Sequence, residues 1–315
     1  MKLYGKDRLV QLLNDTAAEN MLPHAIMLTG ENGVGKRTMA KYIAKLFMCG
    51  APPCGSCSVC AKIDQDNHPD LIYVLDKCGD SYKIDPVRQN VCDTTVVKPN
   101  DGDVKIYIFE KADSMRDDSQ NTLLKNIEEP EPWVKFIFLC ENPGNMLTTI
   151  RSRVTEYAVP ECTPQECEKC LVEEFHADPR AAREYSRIMN GNIGRCLEAL
   201  NGGDELKLME SAKRAATGIA KHSGYLLCTA LGEQSGRKEF AAVLEYLAGI
   251  IGDAISLRAG GESYSCGGNE AKLIAGEYED IKLVDMLEKI NDVNSAGQLN
   301  LNLQLCAAYL TSVLI

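Results

Sequence analysis

Positive charge is scarce in this chain, and so are aromatic rings. Lys and Arg number 34 against 45 Asp and Glu, giving a net charge of −11 and a pI of about 5.0. Such a chain repels a phosphate backbone and is a poor lone binder of nucleic acid, although neighbours in a complex can supply the missing charge. Aromatics make up 6% of the residues, and residues 49–60 contain none, so that stretch offers no platform for stacking bases. Of the four histidines, none has the neighbours of a catalytic triad or a metal site; His24 precedes a strand and His68 precedes Pro69. No apolar run of 18 residues is apparent, so no membrane-spanning helix is expected. The opening Met-Lys-Leu-Tyr-Gly-Lys-Asp-Arg lacks an apolar signal region. The expected location is the cytoplasm.

In a reducing compartment the fourteen cysteines are thiols or metal ligands rather than disulfides. Cys49-x₄-Cys54-x₂-Cys57-x₂-Cys60 places four soft ligands within 12 residues, with Gly50, Pro52, Pro53 and Gly55 to turn the chain. The pattern suits tetrahedral Zn²⁺ with all four positions filled, which makes the metal structural. A second set, Cys162, Cys167 and Cys170, has no fourth ligand. Thr163-Pro-Gln-Glu166 within it is a capping box that opens a helix, so these read as packing or surface cysteines.

One absence concerns chemistry directly. Gly30-Glu-Asn-Gly33-Val-Gly35-Lys36-Arg37 matches a phosphate-binding loop at Gly30, Gly33, Gly35 and Lys36 but not at its last position. Glycines let backbone N–H groups wrap phosphate, and the lysine reaches the β- and γ-phosphates. A Ser or Thr hydroxyl must then hold Mg²⁺. Arg37 stands in that place, and Thr38 is turned about 100° away along the helix. The context is right, with an apolar strand at 25–28 before the loop and a helix after it. That helix carries Met39, Tyr42, Ile43, Leu46 and Phe47 on one face. A second strand, 104–109, should end in Asp and then Glu for metal and water. It ends in Glu110 and Lys111, and a protonated lysine is no base. Asp113 reads as a helix N-cap. The site is therefore expected not to turn over ATP, while binding of ATP or ADP stays open.

Strands at 71–75, 104–109, 134–139 and 155–159 alternate with helices, including one starting at Asp85-Pro86 and one over 116–128. This implies a parallel sheet with helices on both faces. After Pro160 the β signal stops. Residues 164–175, 178–189 and 193–201 read as three short helices. Gly202-Gly203-Asp204 reads as a linker, and the rest as helical. Residues 299–305 alternate as a strand would, yet their setting favours a helix.

Taken in order, several motifs resemble the bacterial AAA+ clamp-loader family of DNA polymerase III, and within it the delta-prime branch. They are Leu22-Pro23-His24-Ala25, the altered loop, the cysteine knuckle, His68-Pro69-Asp70-Leu71, and Ile84-Asp85-Pro86-Val87-Arg88. Asn121 to Pro130, Thr149-Ile150-Arg151-Ser152-Arg153 and Gly191-Asn-Ile-Gly-Arg195 follow. The resemblance covers about residues 5–200. It implies an AAA+ domain over 1–162 with the zinc knuckle at 49–60, a helical lid over 163–204 and an all-helical collar over 205–315. It also implies a non-hydrolysing stator that assembles with gamma/tau and delta to place a sliding clamp on primed DNA. Arg153 would be an arginine finger toward a neighbour's ATP, although Val154 replaces the family's cysteine. Asn142 and Arg195 would be the two sensors. The alternative is an ATP-driven motor subunit like gamma/tau. It needs the hydroxyl at position 37 and the acid pair at 110 and 111.

Overall fold

The computed structural model describes residues 2–74, 87, 91–234, 236–296 and 302–315. It divides into two compact units, one of residues 1–170 with 192–194, the other of residues 171–191 with 195–315.

The first unit is built on five parallel strands: β1 Ala25–Thr29, β2 Leu71–Val74, β3 Lys105–Phe109, β4 Val134–Cys140 and β5 Thr155–Ala158. Their order is β2-β3-β4-β1-β5. The inner strands β1, β3 and β4 are almost wholly buried, as expected of a parallel sheet covered on both faces. Alternation sorts their side chains. Ala25, Met27, Tyr107, Phe109, Phe136 and Phe138 face one core, which the helix Asp117–Glu128 closes with Leu123 and Ile127. Ile26, Leu28, Ile106, Ile108, Ile137 and Leu139 face the other, closed by Leu9 and Leu13 of Asp7–Ala18 and by Met39 and Ile43 of Lys36–Met48. In the first core Phe109 and Phe138 stack with centroids 4.8 Å apart. Such a pair adds about 0.5–1.5 kcal/mol beyond the area it buries.

The α/β reading with a parallel sheet holds. The expected strand at 71–75 ends at Val74, and Leu75 lies outside the described residues, as does the proposed helix start at Asp85-Pro86. Val87 is described; it is helical and buried.

The second unit contains helices joined by loops and no strand among its described residues. It holds Pro179–Ile188, Asp204–Ala220, Gly224–Gly232, Arg237–Arg258, Gly268–Glu277, Asp280–Ala296 and Leu303–Leu314. The capping box forms as read. Glu166 accepts from the Thr163 N–H at 2.8 Å, and the Thr163 hydroxyl accepts from the Glu166 N–H at 3.3 Å. Helix Leu303–Leu314 bears out the helical reading over its own span, capped by Asn302. Arg237–Arg258 has 22 residues and a mean hydropathy of 1.6 over its best 18-residue window, so by length and composition alone it could cross a membrane. Glu245 and Asp253 interrupt it, so no charge-free run of that length stood out. The stripe from Phe240 through Leu247 to Ala254 is buried inside the unit, as in the core helix of a helical domain.

Candidate functional site

The loop after β1 sits at the carboxyl edge of the sheet, beside the loop after β4, where parallel α/β folds receive ligands. Gly30, Gly33 and Gly35 have φ of +149°, +88° and +97°, values that side-chain-bearing residues rarely take. Gly35 directly precedes Lys36–Met48, so the loop turns straight into a helix N-terminus. Backbone N–H groups at such a place can receive an anion.

The cations around the loop are engaged within the site. The Lys36 ammonium donates to the carbonyls of Gly30 at 2.5 Å and Glu31 at 2.7 Å. Burial lowers its pKa, opposed by the nearby Glu141 and Asp113. The Arg37 guanidinium lies 3.1 Å from the Glu110 carboxylate and 3.5 Å from that of Asp66, with Tyr73 beneath it at 4.6 Å. The cation at the metal-hydroxyl position therefore pairs with the acid at the end of β3. Lys111 follows in a left-handed conformation, φ +50°.

Asp113 is not a helix N-cap. Its carboxylate accepts from the backbone N–H groups of Glu141 at 3.2 Å and Asn142 at 2.8 Å, which ties the end of β3 to the end of β4. An acid just after a strand reads as a cap locally, and its partners 28 and 29 residues on carry no sequence signal. The Asn142 side chain accepts from Gly144 N–H at 2.9 Å and so caps a short turn. Residues 192–194 close on the loop from above. Asn192 donates to the Asn32 carbonyl at 2.8 Å, and Gly194 N–H donates to the Gly33 carbonyl at 3.0 Å. A Cβ on Gly33 would collide with the Asn192 side chain, and one on Gly194 with Gly33 itself. Arg195, the next residue, belongs to the second unit. There its guanidinium pairs with Glu205 and Glu245 and lies over Tyr246 at 5.1 Å.

Arg153 is placed at the end of the turn Thr148–Arg151. Its Nε is 2.8 Å from Glu128, and it donates to the Thr149 carbonyl at 2.7 Å and the Ser152 hydroxyl at 3.1 Å. The guanidinium stays 39% exposed. Glu128, the last residue of its helix, was not singled out from the sequence.

The four cysteines converge. The sulfurs of Cys49, Cys54, Cys57 and Cys60 all lie within 4.8 Å of one another, with Cys49 3.5 Å from Cys54 and 3.7 Å from Cys57. A tetrahedron of thiolates at about 2.3 Å from a zinc ion has edges near 3.8 Å, whereas a disulfide needs about 2.05 Å. The cluster could therefore hold a metal ion such as zinc. Cys57 also caps the helix Ser58–Asp64 by accepting from Cys60 N–H. The N–H groups of Ser56 and Cys57 draw the Cys54 thiol down to about 6. Burial pushes Cys60 up to about 12. Cys162, Cys167 and Cys170 are buried away from this cluster, and Cys162 donates to the Tyr4 carbonyl at 3.1 Å.

Two acids that sequence reasoning missed fasten the knuckle to the loop helix. Asp64 receives the nearly buried Lys45 at 2.7 Å. Asp66 receives Lys41 at 2.8 Å and the Tyr73 hydroxyl at 2.6 Å, besides Arg37. Burial works against the ionised Asp66, but Lys41, Tyr73 and Arg37 outweigh it and hold the carboxyl below the usual range. The acids are spaced as on any helix end, and only the fold brings them to Lys41 and Lys45.

Residues 5–163, half of the chain, match the family model described as DNA polymerase III, delta subunit. The chain belongs to that family. It is 32% identical over 204 residues to the delta-prime subunit of DNA polymerase III from Bacillus subtilis, covering 63% of this chain and 60% of that protein. It is 27% identical over 298 residues to the tau subunit from Salmonella typhimurium, covering 92% of this chain and 42% of that one. The matches thus span less than two thirds of these relatives' own length. Among solved structures, a gamma-subunit-related protein from Thermotoga maritima is similar at 20% identity and a TM-score of 0.47, with 97% of this chain and 98% of that one covered. The delta-prime resemblance read from the motifs holds, and the parallel sheet carries the loop-and-helix corner that the motifs led one to expect.

Proposed function

We propose that this chain is a stator of the bacterial clamp loader, a delta-prime-like subunit that does not hydrolyse ATP. It assembles with gamma/tau and delta subunits in the cytoplasm, and the assembly loads the sliding clamp on primed DNA. Residues 1–162 form its AAA+ domain, 163–204 a lid and 205–315 a collar that joins the other subunits. The observation that carries the reading is the Arg37–Glu110 pair. A cation stands at the sequence position of the metal-holding hydroxyl and is paired with the acid that would help hold Mg²⁺. Lys111 offers no base, so in-line attack by water has neither of its usual supports. Gly30, Gly33, Gly35 and Lys36 are the remains of a nucleotide cradle, with Arg195 the matching sensor. Its engagement with Glu205 and Glu245 fits a sensor that no longer reads nucleotide.

Arg153 is the residue this subunit gives to its neighbour. A planar, permanently charged guanidinium suits phosphate in trans, and a finger of this kind is worth about 10³-fold or more in rate. In the isolated chain Glu128 and the Thr149 carbonyl hold it in a defined place at the surface. Cys49, Cys54, Cys57 and Cys60 hold one structural zinc.

The test has two arms. The isolated chain should show no ATP turnover; robust turnover abolished by Lys36→Ala would replace the stator with the motor reading. In the reconstituted loader, Arg153→Ala should leave assembly intact while clamp- and DNA-stimulated ATPase and loading fall sharply, and Arg151→Ala should do less. Undiminished ATPase in the Arg153→Ala assembly would leave the chain a scaffold only.

A further inference from the structure

We infer that the second unit carries a binding site for single-stranded nucleic acid, in a cleft between the helix Pro179–Ile188 and the segment 263–272. The cleft has a volume of about 550 Å³. Arg180, Arg183, Arg187 and Lys272 line it against one carboxylate, Glu184. In a chain of net charge −11 this is a local reversal of sign. Among the described residues these four cations form no ion pair, whereas Arg153, Arg195, Arg214 and Arg258 all do. Arg8, Arg116, Arg151 and Arg237 are likewise without an ion pair among the described residues, so it is clustering in one cleft that sets the four cleft cations apart. The three in the cleft recur at i, i+3 and i+7, so they share one face of the helix. They rise along it by about 4.5 and then 6 Å, a ladder that successive phosphates of an extended strand can follow.

The opposite wall adds a stacking surface. Tyr264 is 49% exposed, and the Arg187 guanidinium lies over its ring at 5.4 Å. An aromatic beside a guanidinium takes any base by its π-face and its phosphate by charge, with little regard for sequence. The wall is preorganised. The buried Asp253 accepts from the Ser263 hydroxyl at 2.6 Å and from the N–H groups of Tyr264 at 2.9 Å and Ser265 at 2.6 Å. The helix Gly268–Glu277 begins at the cleft with no side chain capping it, so its free N–H groups add to the positive potential. An acidic peptide would use the arginines but has no use for the exposed ring, which favours nucleic acid. The inference does not rest on the stator role.

The experiment is fluorescence anisotropy of a labelled oligothymidylate with the full chain. With three or four phosphates neutralised, the single-strand slope of about −0.7 per contact predicts a loss of about 20- to 50-fold in affinity between 50 and 200 mM salt. Arg183→Ala should weaken binding and make the slope shallower by about 0.7. Tyr264→Leu should weaken it by about tenfold and leave the slope unchanged. Arg214→Ala, an exposed arginine paired with Glu233 outside the cleft, should change neither. No binding at 50 mM salt would overturn the proposal. So would an equal loss in Arg214→Ala, or an oligoglutamate that competes as well as the oligothymidylate. The altered side chains are exposed; should Tyr264→Leu fail to fold, the slope change in Arg183→Ala still decides.

Discussion

Replacing Cys57 by serine should break the metal knuckle in a measurable and local way. The four sulfurs already lie at separations close to a zinc tetrahedron's edge, 3.5 and 3.7 Å for the pairs around Cys49, so binding needs little rearrangement. Structural zinc in small finger peptides binds with about 10–16 kcal/mol at neutral pH. An even share for one thiolate of four is about 2.5–4 kcal/mol, so Cys57→Ser should weaken zinc by roughly 10²- to 10³-fold. The same change removes the sulfur that caps Ser58–Asp64. Ile63 on that helix is fully buried in the sheet's second core, and Asp64 still holds Lys45. The damage should therefore stop at the knuckle. Zinc competition against a chromophoric chelator gives the affinity, and amide exchange over residues 58–64 gives the local loosening. Metal content near zero in native protein purified without chelator would refute the site. Unchanged zinc affinity in Cys57→Ser would refute the four-ligand geometry.

Asp253→Asn should destabilise the second unit by about 1–3 kcal/mol at neutral pH, since it removes a charged acceptor from three donors. Burial alone would raise the Asp253 pKa, but the hydrogen bonds from Ser263, Ser265 and Tyr264 hold it below the usual range. Its contribution is then complete above the unfolded carboxylate pKa of about 3.9 and is lost as pH falls through the folded value. The gap between native and Asn proteins in denaturant melts should narrow below about pH 4; a gap that ignores pH would show the carboxylate's charge to be idle. Arg37→Ala should cost only about 1 kcal/mol or less, because its pairs are half exposed. It should create no ATP turnover in a phosphate-release assay, and turnover appearing in it would mean Arg37 alone blocks the chemistry. Gly33→Ala should cost about 1–3 kcal/mol, from its φ of +88° and the collision with Asn192; a thermal melt unchanged from native would contradict the close contact.

What could be read in the sequence was local. The strand read at 134–139 declares itself as an apolar run, and the helical face of Met39 and Ile43 by its period. The cysteine pattern does so because all four ligands fall within 12 residues. Both anomalies of the loop site, Arg37 and Lys111, were visible as letters. That Arg37 pairs with Glu110, 73 positions away, was not. Asp113 was misread for the same reason, as its partners lie on the loop after β4. Arg153 could be marked by its flanking residues, but Glu128 beside it belongs to another element and has no pattern of its own. The cleft of Arg180, Arg183 and Arg187 escaped notice because an arginine-bearing helix face looks solvated until the opposite wall is known.

The contact between Gly33 and Gly194 bears on how such chains change over time. Gly194 is locked in by the backbone of Gly33, and Gly33 by its own positive φ and the Asn192 side chain, whether or not a phosphate ever arrives. A lineage could abandon nucleotide altogether and still be unable to replace either residue without prising the two segments apart. The glycine spacing of the loop would then outlive its ligand, while Arg37, Glu110 and Lys111 were free to drift. In descendants of this corner, glycines are poor witnesses to ancestry of function, and the side chains around them are the better ones.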